Sequence, residues 1–163
     1  MMSVHRQVID SPLGKLIAID DDGRLRALLF ERQWPAWSLE FPAVIDADSP
    51  LIAEARRQLD AYFAGDRRSF DLPFELNGTD FQKRVWTALL NIPYGETSTY
   101  ARQAVAVGSP GAVRAVGQTN GRNPLCLILP CHRVVGTNGE MTGYAGGLEA
   151  KEFLLRLEGA RLI

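Results

Sequence analysis

One change of hydrophobic rhythm divides this sequence. Through the first third, apolar residues come in short runs, HRQVI at 5–9, LIAID at 16–20 and LRALLF at 25–30, separated by the turn-forming strings DSPLG and DDGR. From Ser49 the spacing becomes helical. Ser49 is a good N-cap, Pro50 suits the first helical position, and Leu51, Ile52, Ala55, Leu59, Tyr62 and Phe63 form one apolar stripe. Strands at hairpin spacing followed by helices predict an α+β fold. Residues 64–78 read as a short strand and a connector ending in the Asn77-Gly78 turn. That turn sets the expected boundary between a domain at 1–77 and a second at 78–163.

The second half opens on Thr79, a helix cap, and Phe81, Val85, Trp86, Leu89 and Leu90 recur at helical spacing until Pro93 and Gly95 end the run. Two short Ala/Val-rich helices are predicted next, at about 98–107 and 111–119, joined by Gly108-Ser109-Pro110. Short paired helices with a tight glycine-containing turn form the helix-turn-helix pattern, which plain core-packed helix hairpins share. Arg114 favours the first reading. Its neighbours Ala112, Val113, Ala115 and Val116 are small, so a long cation projects from a smooth helix, as a DNA-reading element would present it. Residues 123–130 read as a buried strand, residues 137–147 as a glycine-rich loop, and residues 148–162 as an amphipathic helix with Leu148, Phe153, Leu154 and Leu157 inward.

The formal net charge of −1 hides an asymmetry. Residues 1–79 carry nine Lys/Arg against thirteen Asp/Glu, whereas residues 80–135 carry six against two. A basic middle points to a phosphate-bearing partner, and a solvated face is the plainer alternative. No apolar run reaches membrane-spanning length, and residues 1–14 lack the basic and apolar regions of a secretory signal. Cys126 and Cys131 lie too close for a stapling disulfide, so the expectation is a reducing, cytoplasmic compartment.

Where the apolar run Leu127-Ile128-Leu129 meets Pro130, the chain sets Cys131, His132 and Arg133 side by side. Three readings compete. A zinc site needs three or four ligands, and only Cys126 and His5 remain as other Cys/His donors. A buried structural thiol suits Cys126 better than Cys131, which follows a proline beside charged groups. An activated nucleophile would attack as thiolate, with an imidazole taking the proton, directly or through a water, and Arg133 and loop N–H groups favouring the anion. An imidazole base needs an orienting acid, and Glu158 is one of the few candidates.

The string LPCHRVVG resembles the active-site motif of the O6-alkylguanine-DNA alkyltransferases. The likeness runs through DSPLG, LDAYFAG, GTDFQKRVWTALLNIPYGETSTY, AVRAVGQTNGRNP, TGYAGG and KEFLLRLEG. It implies a ribonuclease-H-like β/α domain followed by a helix-turn-helix domain carrying the cysteine. Residue by residue, it implies that Cys131 accepts the alkyl group, that His132 acts as base through a water with Glu158 as its partner, and that Asn123 braces the junction before the active-site strand. It makes Tyr144 the donor to the departing purine, Arg114 the finger that fills the vacated stack, and Tyr100 the residue that turns the neighbouring phosphate. Ala112, Ala115 and Gly117 would allow close approach to the minor groove, and backbone around Val134, Val135 and Ala145 would read the base edge. Some members carry serine where this chain has Ala145.

The implied reaction is irreversible, single-turnover repair of O6-methylguanine after base flipping, because a methyl thioether has no facile route back to thiolate. The implied partner is duplex DNA, bound largely without sequence preference, with single-stranded DNA as a further substrate. A monomer with no cofactor and no metal is expected. The rival readings are a non-catalytic lesion-binding module, disfavoured by the presence of Cys131, and a turnover cysteine hydrolase.

Overall fold

Tight turns fold the start of the chain into a meander. At the first, the Ser11 hydroxyl donates to the Gly14 carbonyl at 2.6 Å and accepts from the Leu13 N–H at 3.1 Å, with Gly14 at φ +94° where a side chain would strain the backbone. Strand β1 (Val4–Ser11) pairs antiparallel with β2 (Gly14–Asp21), and β2 pairs antiparallel with β3 (Arg24–Phe30). The computed structural model describes residues 3–161. Met1 and Met2 of the first expected domain, and Leu162 at the end of the last expected helical segment, lie outside the described residues.

Two elements add to the three expected strands. A one-turn helix, α1 (Trp34–Trp37), follows β3, and β4 (Val44–Asp46) pairs parallel with β1 to give the sheet order β3-β2-β1-β4. Helix α2 (Pro50–Phe63) starts as its sequence dictates, with the Ser49 hydroxyl accepting from the Ile52 N–H at 3.2 Å and Pro50 in the first turn. Ile17, Ile19, Ala27, Leu29 and Phe41 form one apolar cluster of the sheet. Residues 64–78 do not form the predicted strand. Residues 64–69 turn and bend, and the rest touches the sheet at a single bridge, Phe74 beside Leu25, because Pro73 lacks the N–H that a longer ladder needs.

By compactness the chain falls into two units, Met1–Leu76 with Pro124–Cys126, and Asn77–Asn123 with Leu127–Ile163. In the second unit, Thr79 caps α3 (Asp80–Ala88) in a capping box with Gln82. The short strand β5 (Ser98–Thr99) leads into α4 (Tyr100–Ala106), and a turn at Gly108 (φ +78°) leads to α5 (Val113–Asn120). Val85, Ala104 and Val116 meet at the core of this three-helix arrangement. Strand β6 (Val134–Val135) pairs parallel with β5, and α6 (Leu148–Leu157) closes the unit.

Two expectations are corrected here. Residues 123–130 are buried but form no strand. Leu125 makes one bridge to Leu28, and Leu127 then takes φ +74°, a left-handed conformation that breaks any extended run. In α6 the inward face is Ala150, Lys151, Leu154 and Leu155, while Leu148 and Phe153 are exposed. The buried stripe is rotated because a lysine occupies an interior position that hydrophobicity alone assigns to solvent.

Candidate active site

The chain at Pro130 turns tightly. The Cys131 N–H donates to the Leu129 carbonyl at 2.7 Å in a three-residue turn, and the Arg133 N–H to the Pro130 carbonyl at 3.0 Å and the Val134 N–H to the Cys131 carbonyl then make Cys131–Arg133 one turn of 3-10 helix. Immediately after it, β6 anchors the turn against β5. The Asn123 amide donates to the Leu129 carbonyl at 2.7 Å and so fixes the approach to the turn from the side of α5. Cys131, His132 and Arg133 are all buried.

Glu158 follows the last turn of α6, is buried, and binds both residues after the cysteine. His132 Nε2 lies 2.9 Å from Glu158 Oε2, and Arg133 forks onto the same carboxylate at 2.8 and 2.9 Å. The third arm of the Arg133 guanidinium donates to the Ile92 carbonyl at 2.7 Å. A bidentate arginine–carboxylate pair is among the strongest charge-assisted arrangements, and it leaves Glu158 as an acceptor for the imidazole N–H. Burial pushes the His132 pKa down despite the carboxylate, so the ring is neutral, with its proton on Nε2. Its Nδ1 is then an acceptor, buried and without a hydrogen-bond partner among the described residues.

Burial dominates at Cys131 as well and pushes the thiol pKa up, opposed by the Asn123 side chain and by the positive charge of Lys151. The resting sulfur is therefore a thiol. This corrects the expectation that Arg133 favours the anion: its guanidinium is committed to Glu158 and Ile92 and stacks over Tyr94 at 5.7 Å. The cation that acts on the sulfur is Lys151, which is fully buried on α6.

Cys131 opens onto a cavity of about 300 Å³, a size suited to a small planar ligand. Tyr100, Gly117, Tyr144 and Ala145 share its wall with Cys131. The Tyr100 hydroxyl lies 2.6 Å from the Thr142 hydroxyl. The Tyr144 ring stands edge-on to His132, with centroids 6.4 Å apart. The structure thus brings together Cys131, His132, Glu158, Asn123, Tyr144, Tyr100, Gly117 and Ala145. Val134 and Val135 are buried in β6 and do not line the cavity. Arg114 is exposed on α5 and makes no ion pair among the described residues. Ala112 stands at the N-cap of α5 and Ala115 is half-buried on it. Among the described residues no group of three or more His, Cys, Asp or Glu is placed to hold a metal ion.

Both units match one family. The 6-O-methylguanine DNA methyltransferase ribonuclease-like domain matches residues 4–76, and the DNA binding domain of the same family matches residues 80–160. The chain belongs to the 6-O-methylguanine DNA methyltransferase family. It is 48% identical over 155 residues to the methylated-DNA–protein-cysteine methyltransferase of Methanosarcina barkeri, covering 95% of this chain and 97% of that one. It is 49% identical over 151 residues to the constitutive methylated-DNA–protein-cysteine methyltransferase of Bacillus subtilis, covering 91% and 92%. The crystal structure of Mycobacterium tuberculosis OGT in complex with DNA superposes with a TM-score of 0.87 at 46% identity, covering 95% of this chain and 92% of that one.

For this member of the family, sequence reasoning missed Lys151 and Thr142. The signal was available in part: a lysine three positions before Leu154 on the same helix face is unusual unless its ammonium has a polar partner inside. That partner, the Thr142 hydroxyl, lies in a glycine-rich loop whose path the sequence does not fix.

Proposed function

We propose that this chain repairs DNA by direct reversal, moving the methyl group of O6-methylguanine onto Cys131 once per molecule. The observation that carries the reading is a buried Glu158–His132 pair directly after a thiol that opens onto a base-sized cavity. The damaged base leaves the stack and enters that cavity, at a cost of a few kcal/mol that a damaged pair lessens. The sulfur then attacks the methyl carbon: the S–C bond forms as the C–O6 bond breaks. The thiol proton passes to His132 Nδ1, through an intervening water, and Glu158 offsets the imidazolium. Tyr144 donates a hydrogen bond to the purine as it becomes anionic, which lowers the barrier for a poor leaving group. Asn123 keeps the turn in place.

Arg114 fills the stack that the base leaves and Tyr100 turns the adjoining phosphate outward. Ala112, Ala115 and Gly117 let α5 approach the minor groove closely. Backbone around Ala145, on the cavity wall, reads the purine edge, and the backbone of Val134 and Val135 just after the Cys131 turn completes that reading once the base has entered. Contacts of this kind go mainly to phosphate and sugar, so binding is salt-sensitive and weakly sequence-dependent. The protein acts as a monomer on duplex DNA and accepts single strands, in the cytoplasm. Among the described residues no helix is long and apolar enough to cross a membrane.

The test is duplex DNA carrying methyl-labelled O6-methylguanine, followed by intact-mass analysis and peptide mapping. One methyl group per protein on Cys131, absent from Cys131→Ala, is the expected result. Label retained in DNA would support a lesion-binding module instead, and repeated product release a hydrolase.

A further inference from the structure

Lys151 is the buried charge for which the proposed reaction gives no role. It lies on the inward face of α6 with no exposed surface, and among the described residues no carboxylate pairs with it. Among the described residues its Nζ donates to neutral oxygens alone, the Thr142 hydroxyl at 3.1 Å and the Thr142 carbonyl at 3.3 Å. A buried ammonium without an anionic partner is costly, and proteins rarely keep one without a use. Arg133 is no help in explaining it, since that cation is matched by Glu158. The buried side chains around Cys131 therefore carry one unmatched positive charge while the sulfur is a thiol, and become balanced when the sulfur is an anion.

The groups facing Lys151 are few. From the 3-10 turn these are Cys131 and His132, on both of which its positive charge favours the form with one proton fewer. From the loop, among the described residues, it is the neutral Thr142, which bridges to the Tyr100 phenol at the start of α4, on the cavity wall. Burial lowers the Lys151 pKa to about 8, and the sulfur's negative charge opposes that shift. The ammonium is thus protonated at neutral pH and most stable when Cys131 is charged.

Resting on methyl transfer to Cys131, we propose that Lys151 is a positioning residue that serves as counter-cation to the reaction, offsetting the negative charge first on the Cys131 sulfur and then on the departing purine. Charge moves across the cavity as the S–C bond forms and the C–O6 bond breaks. The ammonium is held by Thr142, and through the Thr142–Tyr100 hydrogen bonds it is linked to the cavity wall that Tyr100 shares with Cys131. No proton need leave Lys151, and the thiol proton still goes to His132.

The test separates this role from the underlying reading by measuring sulfur reactivity without DNA. Lys151→Met keeps the length of the stem and removes the charge. Alkylation of Cys131 by a small haloacetamide, followed by peptide mapping across pH, is expected to shift by about one pH unit or more to the alkaline side, a factor of roughly ten at neutral pH. Methyl transfer from lesion-bearing duplex should slow by at least about tenfold, with DNA affinity within about twofold of wild type. If Lys151→Met does not fold, Lys151→Ala supplemented with propylammonium replaces it, and recovery of the haloacetamide reaction is expected. An unshifted alkylation profile in a folded Lys151→Met protein, or no recovery with the amine, overturns the inference even where the wild type methylates Cys131 normally. A wild type that leaves Cys131 unmethylated while the alkylation shift is present overturns the methyl-transfer reading alone.

Discussion

Around the four-stranded sheet the charged side chains pair mainly at the surface and the interior is mostly hydrocarbon, whereas around Cys131 the charges lie inside. In the first unit Arg6 meets Asp46, Arg26 meets Asp21 and Arg57 meets Glu54, all with side chains that reach solvent. Its buried polar side chains among the described residues are Asp20 and Gln58. The second unit buries Gln103, Thr119, Asn120, Asn123, His132, Arg133, Lys151 and Glu158. Gln103 and Asn120 satisfy each other through two hydrogen bonds at 2.7 and 3.0 Å, the Thr119 carbonyl accepts from the Trp86 indole at 2.8 Å, and Asn123, His132, Arg133, Lys151 and Glu158 gather around the turn that carries the thiol. Surface pairs contribute little to stability, while a buried ionic network is expensive and rigid. The first unit is built for stability, and the second trades some of it for a fixed electric field at one sulfur.

That contrast can be broken most sharply at Glu158. Glu158→Gln leaves Arg133 as a buried cation without its carboxylate, so a loss of about 3–5 kcal/mol in urea unfolding is expected. Transfer should fall with it by roughly a hundredfold, because the imidazole loses the group that offsets its charge. Normal transfer by a destabilised Glu158→Gln protein would mean that the network serves structure alone. At Leu59, buried on α2, the opposite pattern is expected. Leu59→Ala should cost about 2–5 kcal/mol through the cavity it leaves, with the transfer rate of the folded fraction unchanged.

Arg114→Ala lies between these extremes. Stability should stay within about 0.5 kcal/mol of wild type, since the side chain is exposed. Transfer from duplex DNA should slow about tenfold, or 1.4 kcal/mol, while transfer from the free base should not change. Equal slowing on both substrates would remove its role in base extrusion. The most gradual effect is set by pH. Because burial lowers the His132 pKa, the unfolded chain binds a proton below about pH 6.5 that the folded chain refuses. Stability conferred by the neutral ring is therefore present above that pH and lost as pH falls, at no more than about 1.4 kcal/mol per unit. Urea unfolding between pH 5 and 7 should show this slope, and His132→Gln should flatten it.

Local signals carried a good part of the fold. Ser49-Pro50 and Thr79 start helices where their caps require, and the strands around DSPLG and DDGR pair as their turn chemistry directs. Cys131, His132 and Glu158 could be singled out by residue type, since few other groups could do nucleophilic chemistry. The sequence was misleading where long-range contacts outweigh local preference. The apolar stretch at 124–129 has the composition of a strand, yet Leu127 adopts a left-handed turn. Lys151 looks like a solvent-facing residue by type, yet it lies wholly inside.

By itself the sequence determined where the first three strands and the capped helices at Pro50 and Asp80 begin, that the chain is α+β, and which thiol, imidazole and carboxylate could act together. These follow from nearest-neighbour sterics, capping and hydrophobic period, which operate over a few residues. Only the tertiary structure decided that Arg133 serves Glu158 and leaves the sulfur alone, that the resting thiol keeps its proton, and that a lysine stands behind it. Those outcomes depend on burial and on distances between residues far apart in the chain, and the energy of a charge inside a protein is set by the groups that fold around it.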